Sequence, residues 1–195
     1  MSQTYHHGNL EVALLDAAEH LLKTAGLSAV TLRACARHAA VSHAAPTHHF
    51  GNLNGLLVAL ATRGLTRLGQ YQQAAFERHR QAPPVEQRKA LGLAYISFAL
   101  DEPAFFDLIF SEPRIDRRHP DFWAASQKAS QWVQAGEGAS LEAQQTQWAR
   151  AWSLVHGYAV LARSGLLRFN TGVSGDREQI LAMAERVLTE PSSQS

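Results

Sequence analysis

One stretch of twenty residues, 31–50, constrains the fold of this chain most; its sequence is TLRACARHAAVSHAAPTHHF. Apolar residues recur at positions 32, 35, 36 and 39, which is the spacing of a helix with one buried face. Thr31 precedes this pattern and is a candidate N-cap residue. Ser42 is a second candidate N-cap, and we expect it to begin a second short helix over residues 43–49. Two capped helices joined by a tight turn predict a helix-turn-helix unit.

The rest of the chain predicts more helices and no sheet. Leucines at helical spacing predict a long helix from about Asn52 to about His79, and Pro83 and Pro84 follow it as a break. Residues 165–175 are expected to form another break before a last helix that begins at Asp176. Because no segment alternates at period two, we expect an all-α fold of about nine helices.

We place a domain boundary near Gly64, inside the long helix. Residues 1–63 are then a helix-turn-helix DNA-binding domain, and residues 64–195 are a helical ligand-binding and dimerisation domain. A helix shared by both domains could transmit movement between them.

Composition limits the class of protein. With 46% apolar and 18% charged residues, a chain of 195 residues has the composition of a folded protein with a sizeable core. No run of 18 apolar residues predicts a membrane span, and the N-terminal sequence does not have the pattern of a secretory signal. The single cysteine, Cys35, fits a reducing compartment, so we expect a cytoplasmic protein. Cys35 occupies an apolar helix position, which favours inert packing over redox sensing.

To read DNA, the second helix of such a unit must present short polar side chains to the major groove. Ser42, His43, Thr47 and His48 can face outward, and the hydroxyls of Thr31 and Ser42 suit phosphates. Periodicity alone fits equally well an ordinary helical hairpin with no DNA role.

Charge does not decide between these two readings. In residues 1–60 the three cationic side chains are balanced by three carboxylates: Lys23, Arg33 and Arg37 against Glu11, Asp16 and Glu19. Seven of the ten histidines fall in the same segment: His6, His7, His20, His38, His43, His48 and His49. A histidine side chain ordinarily titrates near pH 6.5, so we hypothesise that histidine charge replaces lysine charge here. Of these, His6, His7, His20 and His38 are the ones that can instead be plain surface or capping residues, and we favour this for at least half of the four.

The first 60 residues resemble the TetR family of bacterial transcriptional repressors. The resemblance lies in YHHGNL at residues 5–10, the helix at residues 13–27, TLRACARHAAVS at residues 31–42 and HAAPTHHF at residues 43–50. Farther along, AWSLVHGYAVL resembles the Trp-His-Gly element of one TetR C-terminal subtype, through Trp152, His156 and Gly157.

This resemblance implies a homodimer that binds an operator of two-fold symmetry and is released by a small-molecule effector. The DNA-facing residues implied by position are Thr31, Arg33, Ser42, His43, Ala44, Thr47, His48 and His49. Three positions depart from the family pattern: Ala40 stands for a glycine in the turn, Thr47 for a tyrosine and Leu53 for a lysine. Two of these would contact phosphates, so we expect weaker non-specific affinity and a shallower salt dependence.

The C-terminal part is rich in aromatic residues, which can line a site for a small apolar or aromatic effector. The candidates for this site are Tyr95, Phe98, Phe106, Phe110, Trp123, Trp152 and His156. Each of them can instead be core packing, because aromatic stripes mostly pack. The last two long helices, at about residues 140–167 and 176–190, are the expected dimer surface.

Two other functional classes remain as alternatives. A helical protein-interaction module with weakened DNA binding is favoured by the missing tyrosine and lysine. An enzyme is disfavoured, because the sequence has no glycine-rich phosphate loop and no nucleophile elbow. We expect no cofactor and no metal, since His119, Asp121 and His156 lack the spacing of a ligand set.

Overall fold

The computed structural model describes residues 7–113, 115–130 and 140–189, and all regular secondary structure in these ranges is helical. The side chains of residues 7–9 and of Ser111 lie outside this description, as do Tyr5 and His6 of the YHHGNL segment. The ten α-helices are α1 (His7–Ala25), α2 (Leu32–His38), α3 (Ala45–Phe50), α4 (Leu53–Arg78), α5 (Pro84–Asp101), α6 (Pro103–Ser111), α7 (Pro120–Ser130), α8 (Leu141–Arg163), α9 (Leu166–Thr171) and α10 (Arg177–Thr189). A short 3₁₀ helix, Leu27–Ala29, follows α1.

The all-α prediction is confirmed, with one helix more than the sequence suggested. Residues 165–175, expected to be a break, contain the six-residue helix α9. Gly165 and Gly172 bound it, both with positive φ (77° and 72°), a conformation that glycine adopts without steric cost. The two glycines therefore end and restart helices, and the residues between them stay helical.

The described residues divide into two compact units. The first comprises Met1–Thr66 with Ala104–Ser126, and the second comprises Arg67–Pro103 with Gln127–Ser195. Helix α4 contributes its first half to one unit and its second half to the other. The functional division near Gly64 into DNA-binding and ligand-binding domains is a separate statement and stays a prediction.

In the first unit, the core joins α1 and α2 to the first half of α4 and to α6. Leu14, Cys35, Leu56, Leu60 and Phe105 are all fully buried. Helices α4 and α6 approach closely at Gly64, where a Cβ atom would lie 2.8 Å from Phe105 Cδ1. Glycine is therefore required for this contact, since the Phe105 ring occupies the space of a side chain.

In the second unit, α5 packs against both α8 and α10. Phe98, Ala99, Ala159 and Ala184 are completely buried. At Gly92 a Cβ atom would lie 2.9 Å from Leu188 Cδ1 and 3.1 Å from Val155 Cγ1. Small residues thus allow the three helices to approach each other closely. Over the described ranges, no helix is long and apolar enough to cross a membrane.

Candidate DNA-binding site and effector site

Helix α2 begins as its sequence predicts. Thr31 is in an extended conformation (φ −131°, ψ 152°), and its Oγ1 accepts a hydrogen bond from the Ala34 N–H at 3.1 Å. This bond satisfies one of the backbone donors that the first turn leaves without a partner. The side chains of Thr31 and Arg33 are exposed beside this N-terminus.

The turn after α2 adopts the Schellman geometry. The Ala40 N–H donates to the Arg37 carbonyl at 3.2 Å, and the Val41 N–H donates to the Ala36 carbonyl at 3.0 Å. Ala40 occupies the position at which glycine is usual, and its φ is +53°. The turn is therefore made with a left-handed alanine, a conformation that costs about 1 kcal/mol relative to glycine.

Helix α3 begins later than the sequence suggests, so the expectation that Ser42 caps it is wrong. The helix starts at Ala45, Ala44 is in the N-cap position, and no side chain makes a capping bond there. Pro46 lies in the first turn, where a missing N–H costs nothing, and its side chain is buried. Ser42 is in the preceding turn, with its carbonyl accepting from the Ala45 N–H at 3.1 Å and its side chain exposed.

Most of the predicted DNA-facing set lies on the surface. Seven of its eight members are exposed, and His49 is half-buried: Thr31, Arg33, Ser42, His43, Ala44, Thr47 and His48 are the exposed ones. The His49 ring packs against its neighbours, with its centroid 5.4 Å from that of His48 and 6.3 Å from that of Phe50. His49 is thus less accessible than the other seven, and its DNA-facing role stays a prediction.

An ion-pair network changes the interpretation of the charge balance in the predicted DNA-binding domain, residues 1–63, which we call the head. Arg63, on α4, contacts Asp16 at 2.6 Å and Glu19 at 3.2 Å, and Lys23 also contacts Glu19 at 3.1 Å. Arg33 and Arg37 are exposed, and neither pairs with a carboxylate in the part of the chain that the structure describes. Asp16 and Glu19 of α1 are thus paired with Lys23 and Arg63, and the α2 cations Arg33 and Arg37 are exposed. A count over residues 1–60 missed this, because Arg63 lies beyond it.

The remaining head histidines include one contact pair. The rings of His20 on α1 and His38 on α2 stack with centroids 4.5 Å apart and an interplanar angle of 25°. Cys35 is fully buried, and burial raises the pKa of its thiol to about 11. The thiol stays protonated and covered near neutral pH, which agrees with inert packing.

Four of the seven predicted effector residues lie in the second unit: Tyr95, Phe98, Trp152 and His156. The Tyr95 hydroxyl is 2.8 Å from His156 Nδ1, and the rings of Trp152 and His156 stack at 4.7 Å. Burial raises the pKa of Tyr95 and lowers the pKa of His156. Both groups are therefore neutral near pH 7, so the Tyr95 O–H donates to Nδ1 and the imidazole carries its proton on Nε2.

The stack continues along α8. Trp148 lies against Trp152 with ring centroids 5.6 Å apart and almost parallel planes. Positions 148, 152 and 156 are one turn apart, which places the three rings in a row on one helix face. This row ends at the buried Tyr95 hydroxyl and begins at the partly exposed Trp148.

The other three predicted effector residues belong to the first unit: Phe106, Phe110 and Trp123. Phe106 is buried, with its ring 4.9 Å from that of Phe110, whereas Trp123 is 59% exposed. Three open cavities of about 270, 410 and 520 Å³ contain none of the seven residues in their linings. The effector set thus stays a prediction, with its best-organised part at Tyr95, Trp152 and His156.

No group of three potential metal ligands occurs in the described ranges. His119 Nδ1 lies 3.9 Å from an Asp121 carboxylate oxygen; His119 is half-buried and Asp121 is exposed.

Two models of known protein families match the chain. Residues 14–60 match the family model described as "Bacterial regulatory proteins, tetR family", and residues 89–188 match "Tetracyclin repressor-like, C-terminal domain". No curated protein matches the chain.

Solved structures share the fold over nearly the whole chain. A protein of unknown function from Rhodococcus sp. RHA1 is 30% identical, with a TM-score of 0.73, over 96% of this chain and 97% of that one. A protein assigned to the tetR family of transcription regulators, from Shewanella sp. PV-4, is 16% identical, with a TM-score of 0.65, over 92% and 95%. The TetR-like transcriptional regulator LfrR from Mycobacterium smegmatis, solved in complex with proflavine, is 20% identical, with a TM-score of 0.54, over 92% and 95%.

The C-terminal match alone spans half of the chain, and the N-terminal match covers the helix-turn-helix unit with part of the helix on either side. The chain therefore belongs to the TetR family, whose members are DNA-binding transcriptional regulators with ligand-binding C-terminal domains.

Proposed function

We propose that this protein is a repressor that binds a palindromic operator as a homodimer and is released from it by a small, mainly apolar or aromatic effector. The observation that carries the proposal is the exposed polar surface formed by the N-terminus of α2 and by α3. It combines hydroxyls, imidazoles and Arg33 on a scaffold whose other faces are buried in the head.

We assign the roles by chemistry. Thr31 and Ser42 bind phosphates through their hydroxyls, with the N-terminus of α2 behind Thr31. Arg33 binds a phosphate through its exposed guanidinium group. His43, Thr47 and His48 face base edges, and Ala44 offers an apolar contact such as a thymine methyl group accepts.

Support for the dimer comes from apolar side chains on the surface of α8 and α9. Leu154, Val160 and Leu161 on α8 are 41–45% exposed, Leu166 on α9 is 49% exposed, and Phe169 is 85% exposed. We call these five residues the α8–α9 patch. Exposed clusters of large apolar residues commonly mark interfaces. We therefore propose that α8 and α10 meet their counterparts in a second copy, and that α9 extends the contact through Phe169.

For the effector we propose the row of rings on α8 together with Tyr95, consistent with the Trp-His-Gly subtype that residues 152, 156 and 157 resemble. An aromatic effector can stack on such rings, and His156 Nε2–H offers it a hydrogen bond. Release follows if the effector prefers a state in which α4 is tilted and the two heads no longer match successive major grooves, roughly 34–36 Å apart. The division near Gly64 and a cytoplasmic location belong to the same proposal.

A gel-shift experiment tests this function against its main alternative. The probe is the intergenic DNA beside the protein's own gene, at low salt and without effector, with equal-length coding DNA as the control. Retardation of the intergenic probe that survives excess coding DNA supports the proposal. No retardation of either probe instead favours a helical protein-interaction module.

A second arm of the same experiment uses Thr47→Ala and His48→Ala. Both side chains are exposed, so the variants should fold normally and lose sequence preference. The surface variant Gln73→Ala on α4 is the control, and it should bind as the wild type does.

A further inference from the structure

A single polar residue interrupts the buried face of α4 in the second unit. Leu68 and Ala75 are each 3% exposed, and Gln72 lies between them on the same face at 4% exposed. Its amide oxygen, Oε1, is buried and has no hydrogen-bond partner among the described residues. Glutamine seldom occupies such a position, and a buried polar atom without a partner needs a physical reason.

The cost of this arrangement is substantial. An unpaired buried acceptor loses its hydration and gains nothing in return, so an apolar side chain of the same length would be more stable. Packing alone does not require glutamine here, because its neighbours on this face are apolar or small. Ala75 packs with Ala90 and Ala94 of α5 in one small cluster.

Open space lies at a neighbouring position of the same helix. Gly69, three residues before Gln72, is half-buried, and a Cβ atom built on it would meet no atom within 4 Å. Residues three apart are neighbours on a helix surface, so the missing side chain at position 69 leaves space on the side of α4 that carries Gln72. The adjacent Tyr71 does not donate to Gln72 Oε1, since its hydroxyl donates to Asp101 at 3.4 Å. Its ring packs edge-on against Phe98.

We propose that Gln72 is a specificity-determining residue of the effector site. Its Oε1 accepts a hydrogen bond from an O–H or N–H group of the effector, and the body of the effector lies against Gly69. The inference rests on the proposed function in one respect, that the second unit binds an effector. It narrows the effector to an apolar molecule with at least one hydrogen-bond donor, because only a donor satisfies this oxygen.

The first test is the stability of Gln72→Met, which keeps the side-chain length and removes the amide. The melting temperature should rise by a few degrees, since the substitution removes an unpaired buried acceptor. Gln73→Met, at the exposed neighbouring position, is the matched control and should leave the melting temperature unchanged. A lower melting temperature for Gln72→Met would overturn the proposal, because it would mean that the amide is satisfied by buried water or protein.

The second test measures the binding of two small probes, phenol and anisole, to the full-length protein by NMR chemical-shift titration. They share an aromatic ring and an oxygen, but only phenol has an O–H donor. Phenol should bind roughly two- to tenfold more tightly than anisole, which is the net value of one hydrogen bond. Gln72→Met should remove this difference, and Gly69→Leu should weaken both probes by filling the space. Equal affinities in the wild type, or no binding of either probe, would overturn the proposal.

Neither test involves DNA, so the two proposals can fail separately. Phenol selectivity without operator binding would contradict the repressor function and leave the role of Gln72 intact. Operator binding without phenol selectivity would do the reverse.

Discussion

At the scale of single residues, the head shows where local sequence signals are reliable and where they are not. Thr31 was predictable as a cap because it directly precedes an apolar helical period, and its side chain makes the expected bond. Ser42 gave the same signal, yet α3 starts at Ala45, where Pro46 falls in the first turn. The preference of Pro46 for the first turn thus outweighs the capping signal of Ser42, four residues before it. The position of Gln72 was beyond sequence reasoning, because its lack of a partner depends on tertiary packing.

Ala40 gives the sharpest prediction at this scale. Ala40→Gly should raise the free energy of unfolding by about 1 kcal/mol, because glycine adopts φ +53° without the steric cost that alanine bears. Urea denaturation followed by circular dichroism measures the change. Ala39→Gly is the control: Ala39 has an ordinary helical φ of −79°, so this variant should be less stable. Changes of the same sign in both variants would contradict the account.

At the scale of helices, close contacts fix the recognition helix on its support. The boundaries of α4, Leu53 and Arg78, are close to those that leucine spacing and the break at Pro83 and Pro84 predict, because a long periodic pattern leaves little choice. Helix α9 was missed for two reasons. A glycine lies at each end of it, and six residues are too few to show an apolar pattern of helical spacing. The ion pairs of Arg63 with Asp16 and Glu19 were also missed. Their partners are separated by 47 and 44 positions in the sequence, and no local pattern indicates contacts over such a distance.

A close contact at Gly55, in the first turn of α4, positions the end of α3 against α4. Its N–H donates to Asn52 Oδ1 at 3.0 Å, and a Cβ atom there would lie 2.0 Å from the Phe50 carbonyl oxygen. Gly55→Ala should therefore destabilise the head by about 1–3 kcal/mol and weaken DNA binding through displacement of α3. Thermal denaturation with the matched variant Gly69→Ala checks this, because position 69 on the same helix has free space and should gain helix stability. Equal stability of Gly55→Ala and the wild type would show that the α3–α4 turn can relax.

The histidines of α3 and the turn before it predict a pH dependence of DNA binding. Phosphate oxygens favour the protonated imidazole, so binding should take up protons and operator affinity should be several-fold higher at pH 6 than at pH 8. Arginine is cationic at both pH values, so Arg33 and Arg37 do not account for such a difference. Fluorescence anisotropy of labelled operator measures the affinity, and His43→Gln with His48→Gln should remove most of the difference. Wild-type affinities that agree at the two pH values would refute the role of histidine charge.

At the scale of the whole molecule, the α8–α9 patch is the surface that a monomer leaves exposed. The sequence predicts a dimer surface on the last two long helices, α8 and α10. Among helices α8 to α10, however, the exposed large apolar side chains lie on α8 and α9. Sequence periodicity could not decide between these two surfaces. It shows which face of a helix is apolar, but it does not show which apolar face a second copy covers.

Leu161→Glu should convert the dimer to a monomer, because it places a charge within the α8–α9 patch. Sedimentation velocity measures the mass, and operator affinity should fall with it by at least about tenfold, since each head alone covers one half-site. Val85→Glu is the control, as Val85 is 56% exposed at the start of α5 and should tolerate a charge without a change in mass. A dimeric Leu161→Glu protein would place the interface elsewhere.

The central claim is that two copies of the head read one DNA site. Nuclease protection of the intergenic DNA beside its own gene, at low salt and without effector, tests it most directly. The account predicts one protected region of two-fold symmetry, whose half-sites are centred about one helical turn, roughly 34–36 Å, or a multiple of it apart. Protection should disappear in Thr47→Ala combined with His48→Ala. Absence of any protected region under these conditions would contradict the account.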